Sequence, residues 1–175
     1  MAVSRPSSPK ASGTFDAVSR SAEQTEQLGE QLGRALKAGD VVGLFGELGT
    51  GKTTLVRGLA KGVGLDPDVV KSPTFVLLRE YPGTIPLIHI DGYRLEGSGT
   101  AVVWEDPDWL FSPKKITVIE WADRFGEWLP DDAVQVHLAH KTTNQRTLRI
   151  TGQGPRAAAL VTALAASQTH EPAGH

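Results

Sequence analysis

Apolar residues along the chain recur in two rhythms. Val41 to Phe45 is a short, nearly all-apolar run, the pattern of a strand buried on both faces. Ile85 to Ile90 and Ile116 to Ile119 repeat it, and each ends on an acid, Asp91 and Glu120. Elsewhere the period becomes helical. Leu28, Leu32, Ala35 and Leu36 share one face behind Ser21, an N-cap whose Gln24 three residues on completes a capping-box pattern, and Gly39-Asp40 closes the segment. Leu55, Leu59 and Val63 line the inner side of a helix over 52–62, with Gly64 as its C-cap. Thr14 to Ser19 alternates weakly, as a first, edge strand. Thr74 to Tyr81 reads as a strand before a Pro82-Gly83 turn, and Ala133 to Leu138 with Thr147 to Thr151 alternate like an antiparallel pair. Arg156 to Ser167 is an Ala-rich terminal helix. Together these predict an α/β fold, a mostly parallel sheet with flanking helices and an antiparallel C-terminal extension.

Composition narrows this further. A chain of 175 residues suits one domain, here 14–154, with a solvated tail over 1–13, a helix over 155–167 and a second tail over 168–175. Eighteen basic against twenty acidic residues leave a net charge of −2, which removes the bulk basic field that non-specific duplex binding requires. With no Cys, disulfides, thiolate metal sites and a Cys nucleophile are excluded. The longest apolar stretch, Ala157 to Ala166, has 10 residues and includes Thr162, about half of a spanning helix. The N-terminus has no apolar core of a signal peptide. No membrane role and a cytoplasmic location are expected.

The chemistry begins at Gly46-Glu47-Leu48-Gly49-Thr50-Gly51-Lys52-Thr53, which matches G-x-x-x-x-G-K-[ST]. A buried-type strand precedes it and a helix pattern follows, the context such a phosphate loop needs. Small residues let the backbone wrap so that successive N–H groups point at phosphate oxygens, and the helix adds its free N–H groups and positive dipole end. Lys52 then reaches the β/γ-phosphates and the Thr53 hydroxyl ligates Mg²⁺. Thr54 either faces the phosphates or packs in the first helical turn; the pattern leaves both open. The fold is therefore expected to be P-loop NTPase-like.

Such a site needs an acid at the end of a neighbouring buried strand to orient the magnesium. Asp91 and Glu120 both qualify, although acids at strand ends are also common as solvated loop residues. Glu120 follows the more strongly β-branched run and is favoured on the metal side; Asp91 would then orient water or a switch segment. His89 reads as a satisfied, partly buried histidine, since no His/Asp/Glu set has metal-ligand spacing. Arg94 either contacts phosphate or pairs with Glu96. GTPases read guanine through an Asn-Lys-x-Asp segment that this chain lacks, so ATP is the expected nucleotide.

Six segments, GELGTGKTTLVRGL (46–59), KSPTFVLLREY (71–81), HIDGYRL (89–95), VIEWADR (118–124), LPDDAVQVHL (129–138) and RTLRITGQG (146–154), resemble in order and spacing the TsaE (YjeE) family. That is the P-loop ATPase family of bacterial tRNA threonylcarbamoyladenosine synthesis. The resemblance spans about 14–154. It implies an Mg²⁺-dependent ATPase that works with TsaD-like and TsaB-like proteins, which transfer threonylcarbamoyl to tRNA, and that resets the complex between turnovers. It maps the phosphate loop onto Gly46 to Thr53, a switch onto Ser72, Pro73 and Thr74, an acidic switch residue onto Asp91 and a Walker-B-like acid onto Glu120. It also assigns nucleotide contacts to Trp121, Arg146 and Thr25, the last beside the adenine. Lys52, Asp91 and Glu120 become the catalytic set, and Thr53 with Glu120 the metal set. tRNA would be met through the complex.

Two departures stand out. The family usually has Leu where Gly92 stands, which is expected to loosen the segment beside Asp91. Between Leu95 and Val118 the family shows an acidic helix pattern, whereas Gly97, Gly99, Pro107 and Pro113 leave little room for a long helix here. Trp104, Trp109 and Phe111 are expected in the core rather than on a partner surface. Two rival readings remain: a small-molecule P-loop kinase, which would need lid arginines where the segment between residues 95 and 129 offers only Arg124, and a nucleotide-gated binding module with incidental hydrolysis.

Overall fold

The structure is a computed structural model that describes residues 12–95 and 106–168. Seven strands form one sheet in the order β1-β7-β6-β2-β5-β4-β3. They are β1 (Ser12–Ser19), β2 (Val41–Phe45), β3 (Leu78–Tyr81), β4 (Leu87–Asp91), β5 (Ile116–Glu120), β6 (Val134–His140) and β7 (Arg146–Gln153). The helices are α1 (Ala22–Ala35), α2 (Lys52–Gly62), the single turn α3 (Pro107–Leu110) and α4 (Pro155–Gln168). The fold class is the expected one. β4, β5, β2 and β6 run parallel at the centre, while β7 lies antiparallel to both β6 and β1.

The all-apolar runs are central because both of their faces are covered. Every residue of β4 and β5 is buried, as are four of the five in β2. Alternation divides each strand between two cores. Val42, Leu44, Leu87, Ile116 and Val118 meet α1, α2 and α4, whereas Val41, Ile88, Ile90 and Ile119 meet Leu110, Ala122 and Phe125. The long helices thus share one face, and the other is covered by α3 and the 3-10 turns of Ala122–Trp128.

Two sequence expectations need correction here. The strand anticipated over Thr74 to Tyr81 occupies only Leu78–Tyr81, antiparallel to β4 at the far edge. Residues 74–77 bend instead: the Pro73 carbonyl accepts from Val76 and Leu77 N–H, and Leu77 takes a left-handed φ of 65°. Trp109, expected in the core, is exposed and lies under the Lys115 ammonium at 4.0 Å. Phe111 does pack against the second core, and Trp104 lies outside the described residues. No helix among the described residues is long and apolar enough to cross a membrane.

Candidate functional site

The candidate site lies where β2, β4 and β5 end side by side. Parallel strands present their carboxyl ends on one edge, where loops rather than strand bonds finish the backbone. Residues 46–51 leave β2 and turn into α2 with positive φ at Gly46, Gly49 and Gly51. A Cβ at Gly46 would stand 2.4 Å from the Leu138 carbonyl oxygen, so only glycine lets the loop start this close to β6. The first turn of α2 has no side-chain cap, in contrast to α1, where the Ser21 hydroxyl accepts from Gln24 N–H at 3.2 Å. The amides at the start of α2 therefore point into the loop with their dipole uncompensated, an anion-binding arrangement.

Lys52, on the first turn of α2, is buried. Its ammonium donates to the carbonyls of Gly46 at 2.7 Å and Glu47 at 2.8 Å and stands 4.0 Å from the Trp121 ring centroid. Burial pushes its pKa below the ordinary lysine value, opposed by the charges of Glu120, Asp91 and Asp123. Next to it, the Thr53 hydroxyl lies 2.9 Å from Glu120 Oε1 and 3.1 Å from Oε2. These two groups are 67 positions apart in the chain and meet because β5 lies beside β2.

Asp91 and Glu120 are register partners across β4 and β5, both buried. Neither is a solvated strand end. Asp91 Oδ2 accepts from the Ser72 hydroxyl at 2.9 Å and from the Thr74 hydroxyl, while Oδ1 accepts from Tyr93 N–H at 2.9 Å. The bend that shortened the predicted strand is what brings Ser72 and Thr74 to this carboxylate. Gly92 does not loosen the segment: it is buried, and a Cβ there would stand 2.9 Å from Phe125 and 3.1 Å from the Trp121 carbonyl oxygen. Close packing replaces the expected slack. Arg94 stacks its guanidinium 4.7 Å over the exposed Phe75 ring, and Glu96 lies outside the described residues.

His89 differs from its sequence reading. It is fully buried rather than partly, its Nε2 lies 2.8 Å from Glu120 Oε1, and its Nδ1 has no partner among the described residues. The signal was available in strand parity. His89 stands two residues before Asp91, Val118 two before Glu120, and the pairs are in register on one face.

Two clefts flank the phosphate loop. One of about 510 Å³ gathers Lys52, Thr53, Thr54, Ser72, Thr74, Asp91, Glu120 and Trp121. The other, of about 420 Å³, is lined by Thr25, Thr50, Gly51, Thr54 and Arg146. Thr54 borders both, so it faces the clefts rather than packing only within its helix. Thr25 is buried with its hydroxyl turned to Ser19 at 2.7 Å, and Arg146 donates to the carbonyls of Thr143 and Gln145 in its own loop. The strongly exposed Leu48 lines the first cleft, and Glu47 before it is exposed and lines neither. A wider hollow of about 760 Å³ over β1, β6 and β7 contains none of the expected site residues.

The oxygen donors of Thr53 and Glu120 suit a hard cation such as magnesium, which binds few protein ligands and keeps water and phosphate oxygens. Lys52 and the uncapped α2 amides suit the phosphates themselves.

Comparison with known proteins gives the same direction. The family model described as "Threonylcarbamoyl adenosine biosynthesis protein TsaE" matches residues 19–148. The chain is 40% identical over 137 residues to the tRNA threonylcarbamoyladenosine biosynthesis protein TsaE of Streptomyces coelicolor, covering 74% of this chain and 91% of that protein. It is 33% identical to the Bacillus subtilis protein of the same name over 135 residues, covering 77% of this chain and 83% of that one. The crystal structure of YdiB from Bacillus subtilis superposes with a TM-score of 0.76 at 27% identity, covering 90% of this chain and 97% of that one.

Proposed function

The chain belongs to the TsaE family of tRNA threonylcarbamoyladenosine biosynthesis, and from that premise we propose that it is a magnesium-dependent ATPase subunit working with TsaD-like and TsaB-like proteins. The observation that carries the reading is the convergence of an uncapped helix end, the Lys52 ammonium and the Thr53–Glu120 pair within one cleft.

Each residue's role follows from its chemistry. The loop amides and Lys52 bind the β/γ-phosphates, and Lys52 exchanges its carbonyl partners for phosphate oxygens that carry full charge. As the terminal phosphoryl bond breaks, the same donors stabilise the charge that develops, without reorganisation. Thr53 and Glu120 would hold a magnesium ion, which would supply charge neutralisation on the phosphates when bound. Asp91 orients and polarises the attacking water once it is released from the Ser72 and Thr74 hydroxyls. With Asp91 so engaged, hydrolysis by the isolated chain is slow and rises when the partner proteins draw the 72–77 segment away. Trp121 lies against the Lys52 ammonium, and the second cleft, with Thr25 and Arg146, takes the rest of the nucleotide. A net charge of −2 leaves tRNA contact mainly to the partners.

Calorimetry with ATP and Mg²⁺ and release of labelled phosphate to water test the reading. Binding should be lost in Lys52→Ala, and hydrolysis in Glu120→Ala. Wild-type turnover in either variant removes the assignment, and label found on an added metabolite instead of water makes the chain a kinase.

A further inference from the structure

His89 is a buried, titratable side chain that the mechanism above does not use. It stands in the middle of β4 with its ring Nε2 2.8 Å from Glu120 Oε1, and both side chains are nearly or fully out of water. A carboxylate can only accept, so the shared hydrogen belongs to Nε2. Nδ1 is buried with no partner among the described residues, and a hydrogen placed there would be an orphaned N–H. The geometry therefore places the ring's hydrogen on Nε2, where it makes one directed hydrogen bond to the carboxylate.

Thr53 and His89 are the two side chains that donate to the Glu120 carboxylate among the described residues. Thr53 belongs to the rim of the cleft and would itself be a ligand of the cation, whereas His89 is held inside the sheet and touches Glu120 from behind. We propose that His89 is the positioning residue for Glu120: its Nε2–H pins Oε1 so that the carboxylate keeps its orientation and leaves Oε2 for magnesium or its water. The inference rests on the magnesium reading above. It also accounts for why a polar ring occupies an interior strand position between Ile88 and Ile90, where Leu87 and Val118 on the same face are apolar.

Two measurements on the full chain test it. Long-range ¹H–¹⁵N correlation on histidine-labelled protein should show a hydrogen on His89 Nε2; a ring with Nε2 bare and the hydrogen on Nδ1 overturns the proposal. Calorimetry then compares binding of the non-hydrolysable β,γ-imido analogue of ATP with and without Mg²⁺. Gln carries its amide nitrogen where Nε2 lies, and Asn only where Nδ1 lies. His89→Leu and His89→Asn should lower the magnesium enhancement of affinity about ten- to a hundred-fold, while His89→Gln restores most of it and metal-free affinity stays level in all three. Equal retention in the three variants, or equal loss, overturns the positioning role, the latter in favour of simple packing. If the wild-type chain shows no magnesium enhancement at all, the proposed function fails and takes this inference with it.

Discussion

Lys52 is held at a cost that nucleotide would relieve. Buried against two carbonyls and an indole ring, its ammonium has lost much of its hydration, and its pKa falls below the ordinary value of 10.5. The folded state therefore releases this proton at lower pH than the unfolded chain does. Between the two pKa values the unfolded chain binds more protons, so stability rises as pH increases through the lowered pKa towards 10.5. Chemical denaturation across the alkaline range should show that rise in the wild-type chain and lose that component in Lys52→Met. Asp91 is a buried carboxylate with three donors. Removing one, by Thr74→Val, should speed amide exchange at Val76 and Leu77, because that hydroxyl ties the bend to β4. Unchanged exchange would mean that the Pro73 carbonyl, Ser72 and the bond from Asp91 N–H to the Leu77 carbonyl hold the bend without Thr74.

Between elements, α1 and α2 cross at close range, and the crossing is made by glycine. Gly29 and Gly33 on α1 face Leu55 and Leu59 on α2, while Gly58 and Gly62 face Glu26 and Glu30. At Gly58 a Cβ would stand 1.8 Å from the Glu26 carbonyl oxygen, a backbone atom that no side-chain rotation can move. Because α2 begins at the phosphate loop, this crossing also fixes where Lys52 and Thr53 point. Gly58→Ala should cost about 1–3 kcal/mol in denaturant unfolding and weaken nucleotide binding through the displaced helix. The four glycines recur at helical spacing in the sequence, but spacing alone does not identify the partner helix. By contrast, the Ser21 cap was legible, since it depends on residues within one turn. Its one surprise is that the Gln24 side chain reaches the Arg20 N–H at 2.8 Å, one residue earlier than a capping box would have it.

For the molecule as a whole, the N-terminal strand completes the C-terminal half. β1 pairs with β7 along its full length, from Ser12 with Gln153 to Ser19 with Arg146, and Ser19 then anchors Thr25 at the start of α1. Deleting residues 1–19 would expose the whole β7 edge, an open template for another chain. The truncated chain should melt at lower temperature and associate with rising concentration in light scattering. A monomer of unchanged stability would show that β7 is adequately protected without its neighbour.

Whatever is written within a few residues was legible along the chain: the buried runs, the glycine-rich loop between β2 and α2, the acids that close β4 and β5, and most of the helix boundaries. Which of these features touch depends on the folded sheet. Strand order and register bring Glu120 to Thr53 and His89 to Glu120, and the bend at residues 74–77 overrides a local strand pattern because two hydroxyls find a buried carboxylate there. Local periodicity reflects the geometry of one element, whereas these contacts depend on long-range pairing, which only the folded sheet specifies.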